Sequence, residues 1–291
     1  MLHCAAGVPM NEIVLYNIPP SLCSQKVRLV LVEKGVPFRN RWVDIGPSAE
    51  NYEPWYVKFN PKCVVPTLVN GDEVITDSLV IMRYVAENFD GPALIPTDLK
   101  EREQMEYWYN LAESLDFRLF SISTINSRPS RFGLNLKLKK LRAYSKKYPE
   151  LRAEYEAKIE DISGLISQST SPEVVKEQRA KLEGELDTLD TVLASHPFIA
   201  GPNYSLADVI WTVSLTRIEF LKQKSLIDSR PNLSSYYKRM QARSSYKDAI
   251  LYPHFRLGPM LPLLARVLGP KLLIAATIVA ALIFAWDMFG G

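Results

Sequence analysis

The stretch EIVLYNIPPSLCSQKVRLVLVEKG, residues 12–35, decides the fold. Its first six residues form a short β-rich run, which predicts a strand. Pro19-Pro20-Ser21 breaks that run, since proline has no N–H to give to a ladder. Beyond Ser21 the apolar positions Val27, Val30 and Leu31 recur at helical spacing. Gly35 fits the position just past a helix end, where a positive φ is needed. FRNRWVDI, residues 38–45, reads as a second strand, so the opening unit is strand, helix, strand.

Outward from this unit, VPTLV (65–69) and EVITD (73–77) flank Asn70-Gly71, a dipeptide suited to a type I′ hairpin turn, and SLVIMRYVAENF (78–89) reads as a helix. The order β-α-β, loop, β-β-α is that of a thioredoxin-like domain, expected over residues 11–89. Such domains hold a cis proline where Pro66 opens the third strand. Residues 90–99 are a Pro-rich linker, and residues 100–252 read as helix with no strand candidate, so the fold class is α/β followed by all-α. Residues 134–193 are rich in charge and interrupted at Ser169-Thr170-Ser171-Pro172, which predicts two amphipathic helices in a solvated or partner-facing hairpin. Ser205-Leu206-Ala207-Asp208 is a capping box opening a buried helix, and its role is read as structural. Residues 230–248 form a further amphipathic helix with Pro231 in its first turn.

The two chain ends read differently. Residues 1–10 lack both a basic start and a sustained apolar core, and are expected to be a disordered start rather than a secretory signal. Residues 272–286, LLIAATIVAALIFAW, carry no charge. At about 1.5 Å of rise per residue they cover most of a ~30 Å hydrocarbon core, and Lys271 and Trp286 can extend the span to its interfaces. A buried core helix is the alternative. The segment is apolar on all faces and follows a Gly/Pro-broken linker at 253–270, so a transmembrane anchor at 271–289 is expected, with the soluble body in the cytoplasm.

The composition excludes several function classes. With 35 basic and 32 acidic residues the formal charge is +3, and no Lys/Arg stripe interleaved with aromatics suits a phosphate backbone, so no nucleic acid partner is expected. Cys4, Cys23 and Cys63 are too few for a disulfide framework and show no zinc-site spacing. His3, His196 and His254 are scattered, so no metal is implied.

The chemistry concentrates at Ser21-Leu22-Cys23-Ser24, where the first strand hands over to the first helix. A helix N-terminus favours an anion, so a thiolate is stabilised there. Ser21 could donate its hydroxyl to the sulfur of bound glutathione, or Cys23 could itself ionise and form a mixed disulfide. Read alone, the tetrapeptide is also satisfied by a plain serine cap and a small buried thiol. The context adds partners for the rest of a thiol peptide. Val65, before Pro66, offers backbone N–H and C=O as a strand edge would. Asp77-Ser78 at the next helix start offers N–H groups, a hydroxyl and a carboxylate to a γ-glutamyl end. Lys62 is a candidate for the glycine carboxylate, a solvated lysine being the alternative.

SLCSQKVRLVLVEKG, NPKCVVPTLV, DSLVIMRYV and FIAGPNYSLADVIW resemble the signature blocks of glutathione transferases over roughly residues 11–250. More narrowly, VDIGPSAENYEPWYVKFNPKCVVPTLV, KKYPELRAEYEAKI and RPNLSSYYKRMQAR resemble tetrachlorohydroquinone reductive dehalogenases, a zeta-like branch. The resemblance implies that the serine and cysteine of the S-x-C-S motif, Ser21 and Cys23, are both functional, and that glutathione is held by Val65, Pro66, Asp77 and Ser78. It implies attack of the glutathione thiolate on a hydrophobic, quinone-type electrophile, then thiol-disulfide exchange at Cys23. A homodimer is a family expectation. The C-terminal anchor departs from the soluble dehalogenases and resembles the ganglioside-induced differentiation-associated proteins, tail-anchored chains of mitochondria. That likeness carries a second expectation, an interaction protein with little or no catalysis. For a eukaryotic chain the expected membrane is the mitochondrial outer membrane or the endoplasmic reticulum.

Overall fold

The computed structural model describes residues 12–46, 48–125 and 128–250. The expected disordered start, the second linker and the anchor at 271–289 lie outside the described residues. Among those residues no helix is long and apolar enough to cross a membrane.

The first half holds β1 (Ile13–Asn17), α1 (Leu22–Glu33), β2 (Arg39–Trp42), α2 (Pro54–Phe59), β3 (Thr67–Asn70), β4 (Glu73–Thr76) and α3 (Ser78–Asn88). The sheet order is β2-β1-β3-β4, with β1 parallel to β2 and the other neighbours antiparallel. This is the thioredoxin-like arrangement that the order of elements predicts, and the Val65–Pro66 bond is cis. Two local details differ from the sequence reading. The hairpin turn is Gly71-Asp72, because Asn70 still pairs with Glu73, and positive φ is confined to Gly71. That suits a type II′ turn, with glycine first, rather than type I′. The loop before Pro66 also contains α2, whose six residues are too few to show a periodicity.

The second half is helical: α4 (Leu99–Ser114), α5 (Phe117–Ile125), α6 (Arg128–Lys147), α7 (Arg152–Ser169), α8 (Pro172–Leu193), α9 (Leu206–Phe220), α10 (Ser225–Asp228), α11 (Pro231–Ala242) and α12 (Ser244–Ala249). Ser171 caps α8 as the break in the sequence predicts. The region 134–193 contains three helices rather than two, since Pro149 ends α6 in a 3-10 turn before α7. The helix expected over 230–248 is divided at Arg243.

One core runs through both halves, from Ile13 and Leu15 through α1 to Trp108, Trp211 and Tyr236. Trp211 Nε1 donates to the Trp108 carbonyl at 2.9 Å, which ties α9 to α4. A second core corrects the expectation of a solvated hairpin. Leu138 and Leu141 of α6 and Tyr155 and Ile162 of α7 pack on Tyr52, Val57 and Cys63 of the first half. Tyr155 OH donates to the Tyr52 carbonyl at 2.9 Å, and Lys140 Nζ lies 2.9 Å from Glu53 Oε1.

Candidate active site

The sheet register brings three separate segments to one end. Tyr16 pairs with Thr67, and Thr67 with Thr76. β1 runs toward this end, β3 starts from it and β4 returns to it. The loop leading to Ser21, the Val65–Pro66 bond and the Asp77-Ser78 step therefore share one edge.

Ser21 is the N-cap of α1, its Oγ accepting from Ser24 N–H at 3.2 Å. The plain capping reading is thus realised. An acceptor role leaves the hydroxyl proton free to donate elsewhere. Cys23 is half-buried in the first turn, which contains no acidic residue to compete with a thiolate for the helix's positive end. Cys63 is fully buried, and desolvation pushes its thiol up to about 11. It is an inert core thiol.

The loop before Ser21 is gripped from several sides. Gln25 Nε2 and Arg28 Nη2 donate to the Pro19 carbonyl at 3.1 and 3.0 Å, and Arg217 Nη2 donates to Pro20 at 2.6 Å. Arg28 also donates to Asn17 Oδ1 at 2.7 Å and to the Ala249 carbonyl at 2.9 Å. Burial lowers its pKa to about 9, so it remains charged at neutral pH.

Around the cis proline, the Val64 carbonyl is occupied by Tyr56 OH at 2.7 Å and Asn60 Nδ2 at 2.9 Å. Among the described residues, Val65's own N–H and C=O make no hydrogen bond. They are available to a strand-like peptide. Asp77 caps α3, Oδ1 accepting from Leu79 N–H at 3.0 Å, and holds φ at +74°. That backbone conformation costs a residue with a side chain about 1–3 kcal/mol and is found where a functional position is held in place. Ser78 beside it is buried. Lys62 Nζ lies 3.5 Å from Asp77 Oδ2, so the structure brings Lys62 to the Asp77-Ser78 side of the edge.

The sequence reading missed residues of the helical half. Arg118, on α5, is within electrostatic reach of Cys23 and is paired with Asp161 of α7, Nη1 to Oδ1 at 2.9 Å. No local pattern marks it, because its partner Asp161 lies 43 positions on and is brought to it by tertiary packing. Arg217 does leave a trace, as the one cation of the otherwise largely apolar run that forms α9. Among the described residues, no group of three or more His, Cys, Asp or Glu side chains is arranged to hold a metal.

A family model described as the glutathione S-transferase N-terminal domain matches residues 20–88, and one described as the C-terminal domain matches residues 141–244. The chain is 39% identical over 249 residues to the tetrachloro-p-hydroquinone reductive dehalogenase of Sphingobium chlorophenolicum, covering 86% of this chain and 100% of that protein. It is 27% identical over 275 residues to ganglioside-induced differentiation-associated protein 1-like 1 of Homo sapiens, covering 83% of this chain and 74% of that one. The crystal structure of glutathione transferase F7 from Populus trichocarpa superposes with a TM-score of 0.59 at 22% identity, over 81% of this chain and 97% of that one, a likeness of fold.

Proposed function

The chain belongs to the glutathione S-transferase family, and on that premise we propose that it is a glutathione-dependent enzyme of reductive dehalogenase type, acting on a hydrophobic, quinone-type electrophile. The observation that carries the reading is the meeting of Ser21 and Cys23, the unengaged Val65 peptide groups and the Asp77-Ser78 helix start on one sheet edge. Similarity to the Sphingobium dehalogenase along that protein's whole length supports the same chemistry.

Ser21 donates its hydroxyl to the glutathione sulfur and holds it as the thiolate. Val65 pairs with the peptide backbone, Asp77 and Ser78 receive the γ-glutamyl end, and Lys62 offers its charge to a glutathione carboxylate. The thiolate attacks a ring carbon, forming a C–S bond while the leaving group departs with its electron pair. The Cys23 thiolate then attacks the sulfur of the conjugate. An S–S bond forms, and the ring carbon takes the C–S electron pair and a proton. A second glutathione thiolate resolves the mixed disulfide, so two glutathiones are oxidised to the disulfide as the ring is reduced.

Turnover of a chlorinated hydroquinone separates the steps. Cys23→Ser is expected to halt at a glutathione conjugate visible by mass spectrometry. Ser21→Ala is expected to lower kcat/KM by about ten- to a hundredfold, as loss of one hydrogen bond to a charged atom does. Wild type without turnover or glutathione affinity would sink the reading. It would leave the second one, a membrane-tethered interaction protein, for which the uncharged run of residues 272–286 leaves room. In either reading residues 271–289 hold the chain at a membrane.

A further inference from the structure

α6 has a face that the second core does not use. Leu138 and Leu141 pack in that core, whereas Phe132, Leu136, Lys139, Ala143 and Lys146 follow one another along the other side at steps of four, three, four and three residues. This stripe is open: Phe132 is 65% and Leu136 50% exposed, and Lys139, Arg142, Ala143 and Lys146 are exposed with them. Its apolar end and its basic end are separate rather than interleaved. α6 holds eight Lys and Arg residues and no acid, against a formal charge of +3 for the whole chain. The excess persists when its neighbours are counted, since from α6 through α7, residues 128–169, ten basic residues stand against five acidic ones. The acids packed near α6 are engaged elsewhere. Asp161 binds Arg118 and Lys158, Glu156 accepts the hydroxyl of buried Ser145 at 3.3 Å, and Glu53 of the first half takes Lys140 at 2.9 Å. Glu150, Glu154 and Glu160 form no ion pair with the stripe, and Lys139, Arg142 and Lys146 make neither an ion pair nor a side-chain hydrogen bond among the described residues.

Charge selects among the surfaces that could cover this face. A second copy docked face to face would set cations against cations. Residues 251–291 carry Arg256, Arg266 and Lys271 against Asp287 alone, which is the same sign again. An acidic protein would match the basic end and leave Phe132 and Leu136 unmatched. An anionic bilayer matches both ends, with phosphates for the cations and an acyl boundary for the apolar pair. We propose that the outer stripe of α6 docks on an anionic lipid surface, Lys139, Arg142 and Lys146 on lipid phosphates and Phe132 and Leu136 at the boundary between headgroups and acyl chains. This contact is distinct from the span proposed at residues 271–289, which would enter neutral and anionic bilayers alike.

Lysine acetylation, read by mass spectrometry on the full chain, tests it with vesicles of phosphatidylcholine alone and of phosphatidylcholine mixed with phosphatidylglycerol. Lys139 and Lys146 are expected to acetylate about fivefold more slowly on the anionic vesicles, the worth of one cation at such a surface, while exposed Lys238 of α11 reacts equally on both. Added salt should remove the difference. The double variant Phe132→Ser, Arg142→Glu keeps both reporter lysines and touches only exposed side chains, so it should fold as wild type by circular dichroism and lose the preference. Equal acetylation on the two vesicles, or a preference undiminished in the double variant, would overturn the docking face. Shielding by soluble polyglutamate but not by anionic vesicles would overturn it too and assign the stripe to an acidic protein.

Discussion

Asp208 is fully buried at the first turn of α9, and its oxygens accept four hydrogen bonds: from Ile199 N–H at 3.0 Å, Ser205 N–H at 2.8 Å, Ser205 Oγ at 3.0 Å and Tyr236 OH at 2.9 Å. Burial raises its pKa to about 6 even though all four donors favour the charged form. The native state then keeps a proton that the unfolded chain releases near 3.8, so this group's contribution to stability is full below that pH and declines as pH rises through about 6. Urea unfolding of wild type beside Asp208→Asn isolates the effect. The wild-type advantage is expected to shrink from pH 4 to pH 7, and an advantage that grew with pH would refute the assignment. The reciprocal contact with Ser205 was legible in the sequence because it is local, three residues apart. Ile199 and Tyr236, nine and 28 positions away, belong to no local pattern. Cys23 follows the same division: its helix N-terminus could be read from the chain, whereas Arg118 could not.

At the scale of the element, α1 connects the sheet to the helical half. Every residue from 24 to 31 is buried, polar ones included, so the apolar stripe of Val27, Val30 and Leu31 marks one face of a helix that has no solvent face over those turns. The helix was foreseen for the right reason, and its enclosure was not, because Gln25, Lys26 and Arg28 mimic a wet side. Lys26 reaches Glu113 of α4 at 2.9 Å, and Arg28 is spent on carbonyl and amide oxygens. Arg28→Met keeps the length but leaves buried acceptors unmet. A loss of about 2–4 kcal/mol in unfolding free energy is expected, with kcat falling more than KM for glutathione rises, since the loop before Ser21 loses a fixed support. An unchanged kcat in the folded variant would show that Gln25 and Arg217 suffice. α2 shows the opposite limit of legibility: with Pro54 at its start and six residues in all, it owes its form to the packing of Tyr56 and Val57.

On the scale of the whole molecule, the thioredoxin-like half, the helical half and their order were readable because periodicity changes once and the punctuation by Pro and Gly is clear. The second core was not, since the charged residues of α6 and α7 conceal how Leu138, Leu141, Tyr155 and Ile162 converge on Tyr52 and Cys63. Ile250 is buried in the shared core. Residues 271–289 are proposed to hold this body at a membrane. Alkaline carbonate should leave the full chain in the membrane pellet and release a chain ended at residue 252. Release of both would assign the apolar tail to the body instead. The bond from Arg28 to the Ala249 carbonyl gives this arrangement a mechanical side. The turn at Ala249 and the Pro19 turn ahead of Ser21 share one guanidinium, with Gln25 and Arg217 as further supports of the loop. A shift of Ala249 is carried through that guanidinium to the bend that aims the Ser21 hydroxyl, so the far end of the described body and the site share one fulcrum.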